Sequence, residues 1–237
     1  MAKIKIAAIS TSCFTATNRE FYRRMDAEAR FKVCIIIPKL WNFGKGTVEA
    51  DPALKHDPEI IFLEATSYHH RLYKLKGFRE TIKKVRPDVI YYEGDPGSRM
   101  AALLGPLSNK LGSRFFALSC ENLSQSPLTV VKREGKTQAV NAIVKYALIQ
   151  YAKRYIDTLF VINNDGLAYF KKLGFKKVVK TPLGFNEKVF KIDQKQRCKI
   201  RKELNVEENT VIISYFGRLV YEKGVHLLIE ALQNLKI

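Results

Sequence analysis

Seven short runs of Ile, Val, Leu, Phe and Tyr punctuate this chain, at residues 4–9, 31–37, 60–63, 89–92, 115–118, 159–162 and 211–216. Several are apolar at consecutive positions rather than alternating, the pattern of parallel strands buried on both faces. Stretches of helical periodicity separate many of them, so the expected fold class is α/β: a doubly wound, Rossmann-like parallel sheet. At 237 residues, 46% of them hydrophobic, the chain can bury such a core and has room for more than one unit.

Punctuation supports this division. Arg86-Pro87-Asp88 stops a helix before the run from Val89, because a residue preceding proline disfavours the helical region. Asp95-Pro96 has the form of an N-cap followed by proline at the first helical position, opening a helix through Met100, Leu103 and Leu104. Glu93 and Asp95 have two readings: turn and cap chemistry, or ligand contact at the carboxyl end of a parallel strand. A longer helix is expected over 137–155, packing through Ala139, Ile143, Ala147 and Tyr151, with Val140, Val144 and Leu148 broadening that face. From Lys171 to Lys202 there are 12 Lys or Arg against Glu187 and Asp193, and residues 186–196 are polar without periodicity. The expected organisation is therefore a first domain over 1–186, a linker over 187–196 and the opening of a second α/β domain over 197–237.

The formal net charge of +18 points to phosphate-bearing partners such as nucleotides, nucleic acid or lipid headgroups. Cys13, Cys34, Cys120 and Cys198 are far apart in sequence and form no C-x-x-C pair, which fits a reduced, cytoplasmic setting. The tandem His69-His70 has no further ligand type nearby and reads as a surface loop, so no metal is assigned. No window approaches the roughly 18 apolar residues of a membrane span. The basic excess instead suggests reversible attachment to an anionic membrane face.

Three segments carry candidate chemistry. Phe216-Gly217-Arg218-Leu219-Val220-Tyr221-Glu222-Lys223-Gly224 lies between an apolar run and a helix with Val225, Leu228, Ile229 and Leu232 on one face. Glycines admit close backbone approach, a helix N-terminus offers N–H groups, and Arg218 with Lys223 adds two charges, which together suit a phosphate. The others are Thr181-Pro182-Leu183-Gly184-Phe185-Asn186-Glu187-Lys188-Val189-Phe190 and Arg86-Pro87-Asp88-Val89-Ile90-Tyr91-Tyr92.

In order, spacing and content these segments resemble the family 4 glycosyltransferases, whose GT-B architecture sets two Rossmann-like domains across a cleft. The resemblance is sharpest from Phe216 to Ala231 and covers essentially the whole chain, as an acceptor-side domain plus the first elements of a nucleotide-sugar domain. It implies retaining, metal-independent and cofactor-free transfer of a hexosyl unit from a nucleoside-diphosphate sugar to a glycan or lipid-linked hydroxyl. It assigns the donor diphosphate to Arg218 and Lys223, with Gly217, Gly184 and Asn186 beside the donor. Acceptor-side candidates are Ser12, Glu93, Asp95, Glu121 and Asn122.

The chain departs from the family pattern at three places. Asn186 stands where Asp is usual, keeping the turn-forming shape without the charge. Ser10-Thr11-Ser12-Cys13-Phe14-Thr15 replaces a Gly-Gly loop after the first run. Ser119-Cys120-Glu121-Asn122 replaces a segment that often holds a histidine; Glu121 and Asn122 either bond a sugar hydroxyl or close a polar strand end. The absence of glycine from residue 4 to 18 argues against a dinucleotide-dependent oxidoreductase. Charge without a recognisable motif argues against specific nucleic-acid binding. A half-length protein that binds acceptor or a partner without catalysis is the other alternative. Because the acidic donor-sugar motif of the family would fall beyond Ile237, the 237-residue chain alone is expected to transfer nothing.

Overall fold

The computed structural model describes residues 2–42, 46–68, 71–121, 128, 132, 139–187, 189–217, 219 and 221–234. His69, His70, Asn122 and Arg218 lie outside the described residues. Contacts divide the chain into two units, Met1–Leu183 and Gly184–Ile237.

The first unit opens with β1 (Ile4–Ser10) and β2 (Phe31–Pro38), followed by a small antiparallel hairpin of β3 (Leu40–Asn42) and β4 (Thr47–Glu49). Then come β5 (Glu59–Leu63), β6 (Val89–Glu93), β7 (Arg114–Ser119), β8 (Thr158–Val161) and β9 (Val178–Lys180). Apart from the hairpin they form one seven-stranded parallel sheet in the order β5-β2-β1-β6-β7-β8-β9. Ala7, Ala8 and Ile9, and likewise Ile35, Ile36 and Ile37, are buried at successive positions, so both sheet faces are covered as the unbroken apolar runs require. The chain builds outward through β2 and β5, then returns to the other flank of β1. The strand order therefore reverses between β1 and β6, the place where ligands of open α/β sheets bind outside the carboxyl ends.

Helices α1 (Glu20–Ala27), α2 (Phe78–Val85), α3 (Arg99–Leu111), α4 (Ala139–Ala152) and α5 (Asn164–Lys172) accompany the strands. Helix α2 ends as the sequence demands: Arg86 takes φ 49°, its N–H bonds the carbonyl of Ile82 at 3.0 Å, and Pro87 cannot continue the helix. Helix α3 starts later than expected. Its N-cap is Ser98, whose hydroxyl accepts the Ala101 N–H at 3.2 Å, while Asp95 accepts the Gly97 N–H at 2.7 Å in the preceding turn.

Helix α4 corrects the expected packing face. It buries Ala142, Lys145, Ile149 and Ala152, while Val140, Ile143, Val144, Ala147 and Tyr151 are exposed. A helix apolar on most of its circumference gives hydropathy no single stripe to point with, and small Ala142 and Ala152 pack more closely than the β-branched side.

The glycine-free loop after β1 is held by one side chain. It makes two short 3₁₀ turns, Ser12–Phe14 and Ala16–Arg19, and ends at Arg19, which is wholly buried. That guanidinium donates to the carbonyls of Cys13 at 2.9 Å, Pro52 at 2.8 Å, Asp51 at 2.6 Å and Phe14 at 3.4 Å, and to the Asp57 carboxylate at 2.9 Å. Arg23 adds a second contact to Asp57 at 2.6 Å. Burial would raise the Asp57 carboxyl, but the Leu54 N–H and the two arginines outweigh it and hold it below its ordinary value.

In the second unit α6 (Gln194–Glu203) is capped by Asp193, which accepts the Gln196 N–H at 3.0 Å. Arg201 is buried there and donates to the carbonyls of Glu207, Glu208 and Thr210, tying the turn after the helix back onto it. Helix α7 (Val225–Gln233) follows. Residues 211–216, expected as a buried strand, pair with no strand among the described residues, and Val211, Ile213 and Phe216 are exposed. A strand is a ladder rather than a local conformation, and apolar sequence alone does not supply its neighbours. Among the described residues of this unit no apolar side chain is fully buried.

Replacing Arg19 by Met leaves four carbonyls without their donor and is expected to cost about 3–5 kcal/mol in urea unfolding. Because the Asp57 pKa is depressed on folding, its contribution is present above the unfolded carboxyl value near 3.9 and is lost as pH falls through the folded value. Stability should therefore fall below about pH 4, and Asp57→Asn should flatten that part of the profile.

Candidate functional site

All strands of the main sheet are parallel, so their carboxyl ends share one rim. The register sets Ser10 beside Glu93, Glu93 beside Leu118, Ser119 beside Val161 and Val161 beside Lys180. The rim gathers polar side chains in two groups.

The first group stands at the β1/β6 reversal. The Ser12 hydroxyl donates to Glu93 Oε1 at 2.8 Å, and the buried Tyr22 phenol donates to Glu93 Oε2 at 3.1 Å. Ser10 Oγ lies 3.0 Å from Ser12 Oγ and accepts the N–H groups of Ser12 and Cys13, each at 3.1 Å, which shapes the turn leaving β1. Burial, reinforced by the charge of Glu93, pushes the Tyr22 hydroxyl well above its ordinary pKa, so it stays a proton donor to that carboxylate. Burial pushes the Cys13 thiol up to about 12, leaving it inert at neutral pH.

The second group is a buried ion triad. Lys145 comes up from α4 with its ammonium almost fully enclosed, 3.2 Å from Asp95 Oδ2 and bonded also to Glu121 Oε2. Asp95 leaves the end of β6 and Glu121 the end of β7; one lysine thus holds together acids from adjacent strands. Two glycines make room for it. A Cβ on Gly97 would lie 2.7 Å from Lys145 Cγ and 3.1 Å from Ile149 Cγ1, and one on Gly166 would lie 2.8 Å from the Glu121 carbonyl oxygen. Gly166 sits in the first turn of α5, whose cap Asn163 accepts the Gly166 N–H at 2.8 Å.

Of the acceptor-side candidates, Ser12 and Glu93 touch each other, Asp95 and Glu121 are joined through Lys145, and Asn122 lies outside the described residues. Lys145, Ser10 and Tyr22 were not singled out by the sequence. The single charged residue of a mostly apolar helix is the available signal for Lys145; Ser10 and Tyr22 carry none. Cys120, between Ser119 and Glu121, is exposed, and its thiol is raised by partial burial and by the charges of Glu93 and Asp95. Among the described residues no group of three His, Cys, Asp or Glu could hold a metal ion.

The donor-side candidates belong to the second unit. Gly184 and Gly217 are exposed; the Asn186 carbonyl accepts the N–H groups of Val189 at 3.0 Å and Phe190 at 2.9 Å, forming the expected turn. Lys223 is exposed at the end of a 3₁₀ turn, Tyr221–Lys223. It leads into α7 through Gly224, at φ 67°, an N-cap residue that has no side chain to bond the free N–H groups of the first turn. A cation beside an uncapped helix N-terminus can receive a phosphate group.

Gly97→Ala should lower stability by about 1–3 kcal/mol, because the new methyl meets a lysine stem whose head is pinned. Lys145→Met, which leaves two carboxylates that are partly open to solvent without their counter-ion, should cost about 1–3 kcal/mol. Urea midpoints read both.

No protein-family model and no curated protein sequence matches this chain. Solved structures do. Sucrose-phosphate synthase from Thermosynechococcus elongatus superposes with a TM-score of 0.65 at 17% identity, over 99% of this chain and 60% of that one. HepE from Anabaena, solved in complex with UDP and glucose, gives 0.64 at 17% identity, over 98% of this chain and 58% of that one. The chain thus spans about three fifths of each neighbour, both of which are GT-B enzymes, and its fold is α/β with the Rossmann-like parallel sheet of the GT-B type.

Proposed function

We propose that this protein is a glycosyltransferase moving a hexosyl unit from a nucleoside-diphosphate sugar to a hydroxyl of a glycan or lipid-linked acceptor, with retention of configuration and without a metal. The observation that carries the reading is the entry to α7: Lys223, then left-handed Gly224 as an N-cap residue that offers no side chain, then the helix N-terminus. That feature lies within the sequence stretch that most closely resembles the family 4 enzymes. The GT-B fold and the UDP and glucose named for one neighbour point the same way.

In this reading Lys223 and Arg218 take up the charge that develops on the departing diphosphate, aided by the positive end of the α7 dipole. Gly217, Gly184 and Asn186 admit the donor. On the acceptor side, carboxylates and hydroxyls along the sheet rim accept and donate to sugar hydroxyls, and the chemistry rests on positioning together with electrostatic stabilisation. Glu93, fixed by Ser12 and Tyr22, and the Asp95–Lys145–Glu121 triad provide such preorganised groups.

Radiolabelled sugar transfer by the natural full-length protein tests the assignment. Each basic residue contributes about 1.5–3 kcal/mol to a charge-assisted phosphate contact, so Arg218→Ala or Lys223→Ala should lower kcat/KM by about 10-fold to 150-fold. Activity should survive a chelator, and Glu121→Gln should raise the acceptor KM more than the donor KM. Unchanged turnover in both basic variants, or a strict need for a divalent ion, would overturn the leaving-group role.

A further inference from the structure

A cavity of about 450 Å³ opens at the amino ends of the first strands, away from the carboxyl-end rim, and its size is that of a small-molecule site. Three lysines share its wall: Lys5 of β1, Lys32 of β2 and Lys84 of α2. Lys5 and Lys32 are register partners in the parallel ladder, so their side chains leave the sheet next to each other on one face, about 5 Å apart at the backbone. Like charges side by side on neighbouring strands repel. Among the described residues none of the three ammoniums is in an ion pair.

Glu59 of β5 is the one carboxylate in the wall among the described residues, and it too is in no ion pair. Three ammoniums against one carboxylate leave a surplus of two positive charges. The Asp88 carboxylate, which is not part of the wall, accepts the backbone N–H of Lys5 at 2.8 Å. Cys34, beside Glu59 in the ladder, adds no charge: burial and the Glu59 carboxylate push its thiol up to about 12, against a smaller opposing effect of Lys32. The remaining surface is apolar, from Ile6, Ile61 and Val85.

This composition selects a ligand class. A surplus of two matches a phosphate monoester, which carries about −1.5 to −2 at neutral pH. Planar carboxylates are best met by the arginine fork, whereas lysines act as separate point charges suited to a phosphate, and the wall's cations are all lysines. The apolar wall adds a surface for a carbon body, which inorganic phosphate lacks.

We propose that this cavity binds a small organic phosphate, a monoester with an apolar body, at a site separate from the glycosyl-transfer rim. Lys5 and Ser10 are five residues apart on β1, which puts the two places about 17 Å apart along the strand. The occupant of the cavity is therefore neither sugar donor nor acceptor.

Isothermal titration of the full chain with phenyl phosphate, inorganic phosphate and phenol tests it. Phenyl phosphate should bind saturably and about fivefold or more tighter than inorganic phosphate, because its ring covers apolar wall, while phenol should show no saturable binding. Lys32→Ala with Lys84→Ala should weaken phenyl phosphate about tenfold or more, and Glu59→Gln, which removes a repelling charge, should tighten it. Both lysines are exposed, so circular dichroism should be unchanged; should that variant fail to fold, Lys84→Gln alone reads the same cavity. Lys223→Ala, which alters the entry to α7, should leave this binding in place, so failure here is distinct from failure of the transfer reading. Lys110→Ala with Arg154→Ala, two exposed cations outside the cavity wall, should also leave it in place. No saturable binding, equal affinity for inorganic phosphate, an undiminished affinity in the folded cavity variant, or an equal loss in the Lys223 or Lys110 and Arg154 variants would each overturn the proposal.

Discussion

The pairing of β1 with β6 decides where everything else on the rim can stand. These strands are neighbours in the sheet but far apart in the chain, and their register ends with Ser10 opposite Glu93. Once that ladder is set, the loop leaving β1 and the turn leaving β6 must face each other across the strand-order reversal. Ser12 can then meet Glu93 without special local chemistry. The outer strands continue the same rim, which brings Glu121 in from β7 and lets Lys145 reach it from α4.

Two buried cations hold the rim in different ways. Arg19 is consumed by backbone carbonyls and Asp57, so its five donors serve the path of the chain itself. Lys145 is consumed by side-chain carboxylates that remain partly open to solvent, so it serves the rim groups instead. Taking a charge out of water is unfavourable unless its partners are well placed, and both residues are well supplied. Arg19 acts as a brace for the β1 loop and Lys145 as a counter-ion for two acids.

Much of the fold was legible because parallel strands buried on both faces write themselves as unbroken apolar runs, and six of the seven runs become strands of the main sheet. The Arg86-Pro87 stop was legible for a local reason, backbone restriction. The run at 211–216 was not decidable locally, since pairing depends on neighbours. The outward face of α4 was misread because volume and closeness, not hydropathy, select the buried side of a helix apolar nearly all round. At the site, Glu93, Asp95 and Glu121 could be found from their position after strands. Lys145 could not be placed, because its partners lie 50 and 24 residues away and no short spacing links them.

The loop after β1 has a consequence for how tightly anything can be held beside it. Glycine-rich loops are adaptable, and closing one around a ligand costs conformational entropy at the moment of binding. Here that ordering is completed during folding, by five donor contacts from one arginine. A molecule arriving at Ser12 therefore meets a surface already in its final shape. Its affinity is limited by complementarity, with little lost to rearrangement, and the same rigidity narrows the range of shapes the loop can accept.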